Sequence, residues 1–149
     1  MKSNSGNKLK YYLELSKLKI MIPVSLTGFT GYFIFDPHIT LNIFIVSIGI
    51  LLMAISASVL NQIQEAGLDI KMNRTHKRPI PAKNISKSGA ILFFLANLIA
   101  GTAFIYSAGG FRAAIIGLIT LVWYNGIYTF SKRFSAFAVV PGAITGALP

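Results

Sequence analysis

Long apolar segments separated by short polar ones dominate the sequence. Four of them, followed by a fifth, are candidates for membrane crossings: residues 20–35, 41–60, 89–106, 111–130 and, truncated, 136–149. A helix needs about 20 residues to cross a bilayer core of roughly 30 Å, so the second and fourth segments fit best, and the first and third span with help from snorkelling neighbours. The pattern predicts an all-α fold, a multi-pass transmembrane helical bundle with about five spans.

The fifth segment stops at Pro149 while it is still apolar. A chain rarely ends inside a segment that crosses a membrane. We therefore expect residues 1–149 to form the N-terminal portion of one longer membrane domain.

Composition and charge also indicate lipid as the solvent. Hydrophobic residues make up 54% of the chain, and its 14 Lys and Arg with 4 Asp and Glu are too few to cover a soluble globule of this size. A net charge of +10 suggests nucleic acid in a soluble protein. That class is excluded here because no soluble face interleaves basic residues with exposed aromatic ones.

The basic residues report topology. They cluster before the first segment, between the second and third, and after the fourth, whereas the other side carries only Arg112. The positive-inside rule places these three regions in the cytoplasm. We expect a protein of the cell (inner) membrane with its N-terminus and longest polar loop in the cytoplasm.

Polar residues recur every four positions where the second apolar segment ends. Asn61, Glu65, Asp69 and Asn73 form one ladder on one helical face if the helix continues past Leu60. Magnesium is usually held by one or two carboxylates with water and phosphate oxygens, and a carboxamide oxygen can contribute. Asn61, Glu65 and Asp69 are therefore candidate catalytic and metal-binding residues.

Two arginines follow this ladder before Pro79 interrupts any helix. Arg74 and Arg78 can fork onto phosphate oxygens, so the segment fits a clamp for a metal-bound diphosphate. The alternative is a solvated helix end, in which Glu65 and Asp69 form ordinary surface pairs with neighbouring basic residues. The spacing alone leaves both interpretations open.

A second constellation lies at the end of the fourth segment, where Tyr124, Tyr128 and Lys132 share one helical face. One interpretation is an aromatic belt at the membrane interface, followed by positive-inside anchors. The other makes Tyr128 and Lys132 donors to the same diphosphate, which requires the second and fourth helices to converge.

The run from Asn61 to Pro79 resembles the signature N-Q-x-x-E-x-x-x-D-x-x-M-x-R-T-x-x-R-P of the UbiA family of intramembrane prenyltransferases, and within it the protohaem IX farnesyltransferase group. The spacing of Tyr128 and Lys132 is similar to that family's fourth-to-fifth helix passage. Two features differ. Many members carry proline where this chain has Leu18, and the family's second acidic motif belongs to a later helix, beyond Pro149.

The resemblance implies a nine-helix barrel around a cavity open to lipid, completed by C-terminal helices of the same enzyme. Asn61, Glu65 and Asp69 would be its first metal-diphosphate motif, assisted by Arg74, Tyr128 and Lys132. The implied reaction is Mg²⁺-assisted ionisation of farnesyl diphosphate, whose allylic cation is captured by a vinyl group of protohaem IX to give haem O. We expect the 149-residue chain alone to be inactive.

Two alternatives stay open at this point. The first is a UbiA-type enzyme with an aromatic or quinone-precursor acceptor. The second is a non-catalytic membrane carrier or assembly protein whose polar loop docks a partner.

Overall fold

The computed structural model describes residues 5–134, with side chains described for residues 7–131. The elements in chain order are α1 (Ser5–Ser16), α2 (Leu18–Phe35), α3 (Leu41–Asp69), α4 (Lys87–Val122), a π-helical segment (Trp123–Tyr128) and α5 (Thr129–Phe134). Residues 5–134 contain no β-strand, so the all-α prediction is confirmed. The fifth apolar segment, residues 136–149, lies outside the described residues.

Three helical stretches in this range are long and apolar enough to cross a membrane: Leu18–Phe35, Leu41–Asp69 and Lys87–Ser131. Large apolar side chains cover much of their outer surface, and Ile34 and Leu92 are 78% and 70% exposed. Such a surface suits lipid tails, which are as apolar as leucine.

The third stretch folds back on itself at Gly110. Its 45 residues would measure about 67 Å as a straight helix, roughly twice a bilayer core. Gly110 has φ 79°, a left-handed value that glycine adopts readily. A Cβ built on Gly117 would lie 3.6 Å from Ile105 Cδ1, although residues twelve apart in a straight helix are about 18 Å apart. Two arms, residues 87–109 and 111–131, therefore stand where the third and fourth spans were predicted.

Both arms pack on α3. A Cβ built on Gly101 in the first arm would lie 2.9 Å from the Gly49 carbonyl oxygen and from the Met53 nitrogen, so the two helix backbones are in direct contact there. In the second arm, a Cβ on Gly117 would lie 2.6 Å from Met53 Sδ. The buried side chains around this contact are Met53, Ile105, Ala114 and Leu121.

A second apolar cluster surrounds the part of α3 that approaches Asp69. It joins α1, α3 and the start of α4 through Leu15, Ile55, Val59, Ile85 and Ala90. Gln62 Nε2 donates to the Leu15 carbonyl oxygen at 2.8 Å and so ties α1 to α3. The Ser86 hydroxyl caps α4 by accepting from the Gly89 N–H at 3.0 Å. This packing holds both ends of the 70–86 loop.

Candidate functional site

The polar ladder lies on α3, which continues past Leu60 as far as Asp69. Asn61 and Asp69 are each 4% exposed, and the Glu65 side chain is 15% exposed. The predicted fourth member, Asn73, falls beyond the helix end and is exposed, because residues 70–73 leave the helix in a series of turns. The ladder therefore has three members, of which Asn61 and Asp69 are buried and Glu65 is partly buried.

The 70–86 loop turns back over the end of α3. The Thr75 hydroxyl donates to the Asp69 carbonyl oxygen at 3.2 Å, and the Arg78 backbone N–H donates to the Thr75 carbonyl oxygen at 3.0 Å. These bonds place Arg78 beside the helix, with Pro79 fully buried behind it.

Arg78 is the ionic partner of the two carboxylates. Its Nη1 lies 2.9 Å from Asp69 Oδ1 and 2.7 Å from Asp69 Oδ2, and 3.9 Å from Glu65 Oε2. Asp69 is therefore paired with an arginine that the 70–86 loop brings back to the helix, and the pair is largely buried. Arg74, the other candidate for a phosphate, is exposed on the loop.

Asn61 joins α3 to the end of the second arm. Its Nδ2 donates to Glu65 Oε2 at 3.1 Å, while its Oδ1 accepts from the Thr129 hydroxyl at 3.0 Å. One turn further along α3, Gln64 Nε2 donates to the Asn125 carbonyl oxygen at 3.4 Å. The second and fourth predicted spans therefore converge at the acidic ladder, as the diphosphate interpretation requires.

The aromatic residues of the second constellation lie at this convergence. The Tyr124 and Tyr128 rings stack with centroids 5.4 Å apart and planes inclined by 26°, and Tyr124 is near enough to Glu65 for an electrostatic interaction. The backbone of Lys132 lies in α5, four residues after Tyr128. The Lys132 side chain lies outside the described residues.

The acidic residues fit a small hard cation. Both carboxylates approach one positively charged nitrogen, Arg78 Nη1, so a single cation at that place is within reach of Glu65 and Asp69 together. Residues 5–134 contain no group of three or more His, Cys, Asp and Glu side chains suited to a metal. Two carboxylates and one carboxamide match magnesium, which keeps several waters and shares phosphate oxygens, better than a metal that demands a complete protein cage.

Sequence reasoning missed two polar residues of the second arm. Thr129 is fully buried against Asn61, and Asn125 is 3% exposed with an Oδ1 that has no hydrogen-bond partner among the described residues. Both are in or next to the π-helical segment, and turns of that type are frequent at functional sites. The sequence feature that could have indicated Asn125 and Thr129 as site residues is that each is a polar residue inside a long apolar segment.

These features define a multi-pass helical membrane protein with a buried acidic site where two spans meet. The chain belongs to the UbiA prenyltransferase family, whose model matches residues 23–149. The resemblance found in the sequence is confirmed.

Two individual relatives indicate which group of the family this chain is similar to. The chain is 35% identical over 135 residues to the protoheme IX farnesyltransferase of Nitratidesulfovibrio vulgaris, covering 91% of this chain and 47% of that protein. It is 34% identical over 146 residues to the enzyme of the same name from Cytophaga hutchinsonii, covering 97% and 51%. The chain thus spans about half the length of these curated relatives.

One solved structure is similar in fold. It comes from work on digeranylgeranylglyceryl phosphate synthase in membranes, with a TM-score of 0.76 and 26% sequence identity. The match covers 93% of this chain and 51% of that one. The fold described above is therefore of the UbiA type.

Proposed function

We propose that the full-length protein, meaning this chain with any residues its gene encodes beyond Pro149, transfers a farnesyl group from farnesyl diphosphate to protohaem IX and so makes haem O. Relatives of that name, 35% and 34% identical over nearly the whole chain, support this proposal. This chain supplies the first acidic motif. Its substrates meet at the cytoplasmic face of the inner membrane, and helices beyond Pro149 complete the barrel.

The observation that carries the proposal is the burial of the ladder where two spans converge. Asn61 and Asp69 are each 4% exposed, and Asn61 contacts Thr129 from the second arm. Burying a carboxylate is costly unless it is paired, and ionisable residues at membrane depth mark substrate and ion sites. A solvated helix end explains neither the burial nor the contact.

UbiA family prenyltransferases generally depend on a divalent metal, and we propose Mg²⁺. Glu65 and Asp69 would hold it, and Asn61 would add a carboxamide oxygen. When bound, the cation supplies charge stabilisation for the departing diphosphate. Arg74, Tyr128 and Lys132 donate hydrogen bonds to the diphosphate oxygens, and Arg78 does so when the cation takes its place beside Asp69. Charged donors form the stronger of these bonds.

The chain's own residues then favour ionisation. The bond between the farnesyl C1 and the diphosphate oxygen breaks, and the electron pair leaves with the diphosphate. Arg78 and Lys132 stabilise the charge that develops on it. The apolar walls of the spans keep stray water from the allylic cation until a haem vinyl group captures it. The new C–C bond leaves the positive charge on the vinyl-derived carbon next to the porphyrin ring, where one water adds its oxygen and releases a proton to give the hydroxyethylfarnesyl group.

Membranes that contain the full-length protein test the proposal. They are supplied with farnesyl diphosphate, protohaem IX and Mg²⁺, and haem O is measured by mass spectrometry. We expect Glu65→Gln and Asp69→Asn each to lower the rate on the order of 100-fold, as for loss of one preorganised charge stabiliser. Asp36→Asn, which alters a partly exposed carboxylate that contacts His38 between α2 and α3, is the matched control and should keep the wild-type rate.

The other candidate functions predict different results. If a prenylated product forms from an aromatic acceptor in the absence of protohaem IX, the result favours a UbiA-type enzyme with an aromatic or quinone-precursor acceptor. Full activity in both acidic variants would favour a non-catalytic role and contradict the proposal.

A further inference from the structure

Thr129 makes two contacts with a single hydroxyl group. Its Oγ1 lies 3.0 Å from Asn61 Oδ1 on α3 and 2.9 Å from the Tyr124 carbonyl oxygen on the π-helical segment. A hydroxyl carries one proton and two lone pairs, so Thr129 donates to one of these oxygens at a time. When its proton goes to Tyr124, the Thr129 oxygen faces Asn61 as an acceptor.

The Asn61 carboxamide presents two different ends. Oδ1 faces Thr129, and Nδ2 donates to Glu65 Oε2 at 3.1 Å. In this orientation the amide nitrogen of Asn61, and not its oxygen, faces the Glu65 carboxylate. A divalent cation next to Glu65 prefers oxygen ligands. A half-turn about the Cβ–Cγ bond of Asn61 would bring its oxygen towards the cation and its N–H groups towards Thr129.

We propose that Thr129 is a positioning residue of the cation site, because its hydroxyl is a partner for Asn61 in both orientations. It donates to Oδ1 when the amide nitrogen faces Glu65. It accepts from Nδ2, with its own proton on the Tyr124 carbonyl, when the carboxamide oxygen faces the cation. This inference rests on the proposed function, since it requires a divalent cation beside Glu65.

Because the site is buried, bulk water cannot easily take over the role of the Thr129 hydroxyl as a partner of Asn61. Thr129 is 0% exposed and Asn61 is 4% exposed, so bulk water does not reach the contact between the two side chains. The π-helical turn supplies the second acceptor. The Thr129 backbone N–H bonds to the Tyr124 carbonyl, five residues earlier, and this brings that oxygen beside the Thr129 side chain.

Three substitutions in the full-length protein distinguish the effect of the Thr129 hydroxyl from the effect of the size of its side chain. Thr129→Ser keeps the hydroxyl, Thr129→Val keeps the shape without it, and Thr129→Ala removes it but leaves room for a water. Binding of Mn²⁺, a paramagnetic substitute for Mg²⁺, is titrated by electron paramagnetic resonance in the absence of substrate. Thr120→Val, on the same arm at a partly exposed position where the hydroxyl donates to the Ile116 carbonyl oxygen, is the matched control.

We expect Thr129→Val to weaken Mn²⁺ binding roughly tenfold, because the rotated carboxamide then loses the Thr129 oxygen that accepts from its N–H group, and the loss of a buried hydrogen bond disfavours that orientation. Thr129→Ser should restore the wild-type constant. Thr129→Ala should fall between them, since a water can replace the missing oxygen. If the valine variant does not fold, the comparison of alanine with serine still decides.

The inference is overturned if Thr129→Val and Thr129→Ala bind Mn²⁺ like the wild type, or if serine weakens binding as much as they do. Glu65→Gln is titrated in parallel. Loss of Mn²⁺ binding in that variant, with no change in the Thr129 variants, rejects the positioning role alone. Unchanged binding in Glu65→Gln rejects the cation site and the positioning role with it.

Discussion

Arg78 Nη1 lies 2.7 Å from Asp69 Oδ2 and 2.9 Å from Asp69 Oδ1, and this pair closes the 70–86 loop over the end of α3. The Asp69 side chain is 5% exposed and the Arg78 side chain 26% exposed. Removing one member of a buried ion pair leaves the other charge uncompensated, which commonly costs about 3–5 kcal/mol. The pair therefore contributes to the fold as well as to the proposed chemistry.

Arg78→Gln is expected to lower the thermal unfolding temperature in detergent, because Asp69 loses its counter-charge. Added Mn²⁺ should stabilise this variant more than the wild type, since a cation beside Asp69 replaces the missing positive charge. Lys77→Gln, one residue earlier on the exposed side of the loop, is the control. Equal unfolding temperatures for the two variants would show that the ion pair does not hold the loop.

Part of this site could be predicted from the sequence. The spacing of Asn61, Glu65 and Asp69 placed them on one stripe because a helix repeats every 3.6 residues, and the structure confirms that stripe. The partner of Asp69 could not be predicted in the same way. Arg78 reaches it through turns set by the Thr75 hydroxyl, and no periodic pattern specifies such a loop.

The contact between Thr129 and Asn61 was also beyond sequence reasoning. The two residues are 68 positions apart, so only the packing of the arms on α3 brings them together. The π-helical segment adds to the difficulty because its wider turn shifts the faces that a regular α-helical period assigns. The fold was easier to predict, since the length of each apolar segment limits what can cross a bilayer.

Gly101→Ala tests the packing of the first arm on α3. The added methyl group would lie 2.9 Å from two backbone atoms, the Gly49 oxygen and the Met53 nitrogen, and backbone cannot move aside as a flexible side chain can. We expect a lower unfolding temperature, equivalent to about 1–3 kcal/mol of overpacking. Gly67→Ala, on α3 with nothing within 4 Å of the new methyl group, should be neutral or stabilising. A stable Gly101→Ala protein would contradict the close contact.

Gln62→Leu tests how α1 is held. The variant removes the donor to the Leu15 carbonyl oxygen and leaves a buried acceptor unsatisfied, which costs about 1–3 kcal/mol. We expect trypsin to cleave faster after Lys10 and Lys17, because α1 leaves α3 more often. Gln64→Leu, at an exposed position two residues on, should not change this rate. Equal protection in both variants would mean that apolar packing alone holds α1.

Tyr128→Phe tests the aromatic donor of the second arm. Phenylalanine keeps the stack on Tyr124 but removes the hydroxyl that we assign to the diphosphate. A hydrogen bond to a charged group contributes about 1.5–3 kcal/mol, so kcat/KM for farnesyl diphosphate should fall roughly tenfold or more. Tyr106→Phe, 59% exposed near the Gly110 turn, is the control. Unchanged kinetics in Tyr128→Phe would remove this residue from the site.

The most direct test of a cation shared by the acidic ladder and a prenyl diphosphate is the phosphorus hyperfine coupling of bound Mn²⁺. It is recorded by electron-nuclear double resonance on the full-length protein with farnesyl diphosphate. We predict a ³¹P coupling in the wild type that disappears in the Glu65→Gln, Asp69→Asn double variant. The same coupling in both proteins would place the cation and the diphosphate elsewhere and contradict the account.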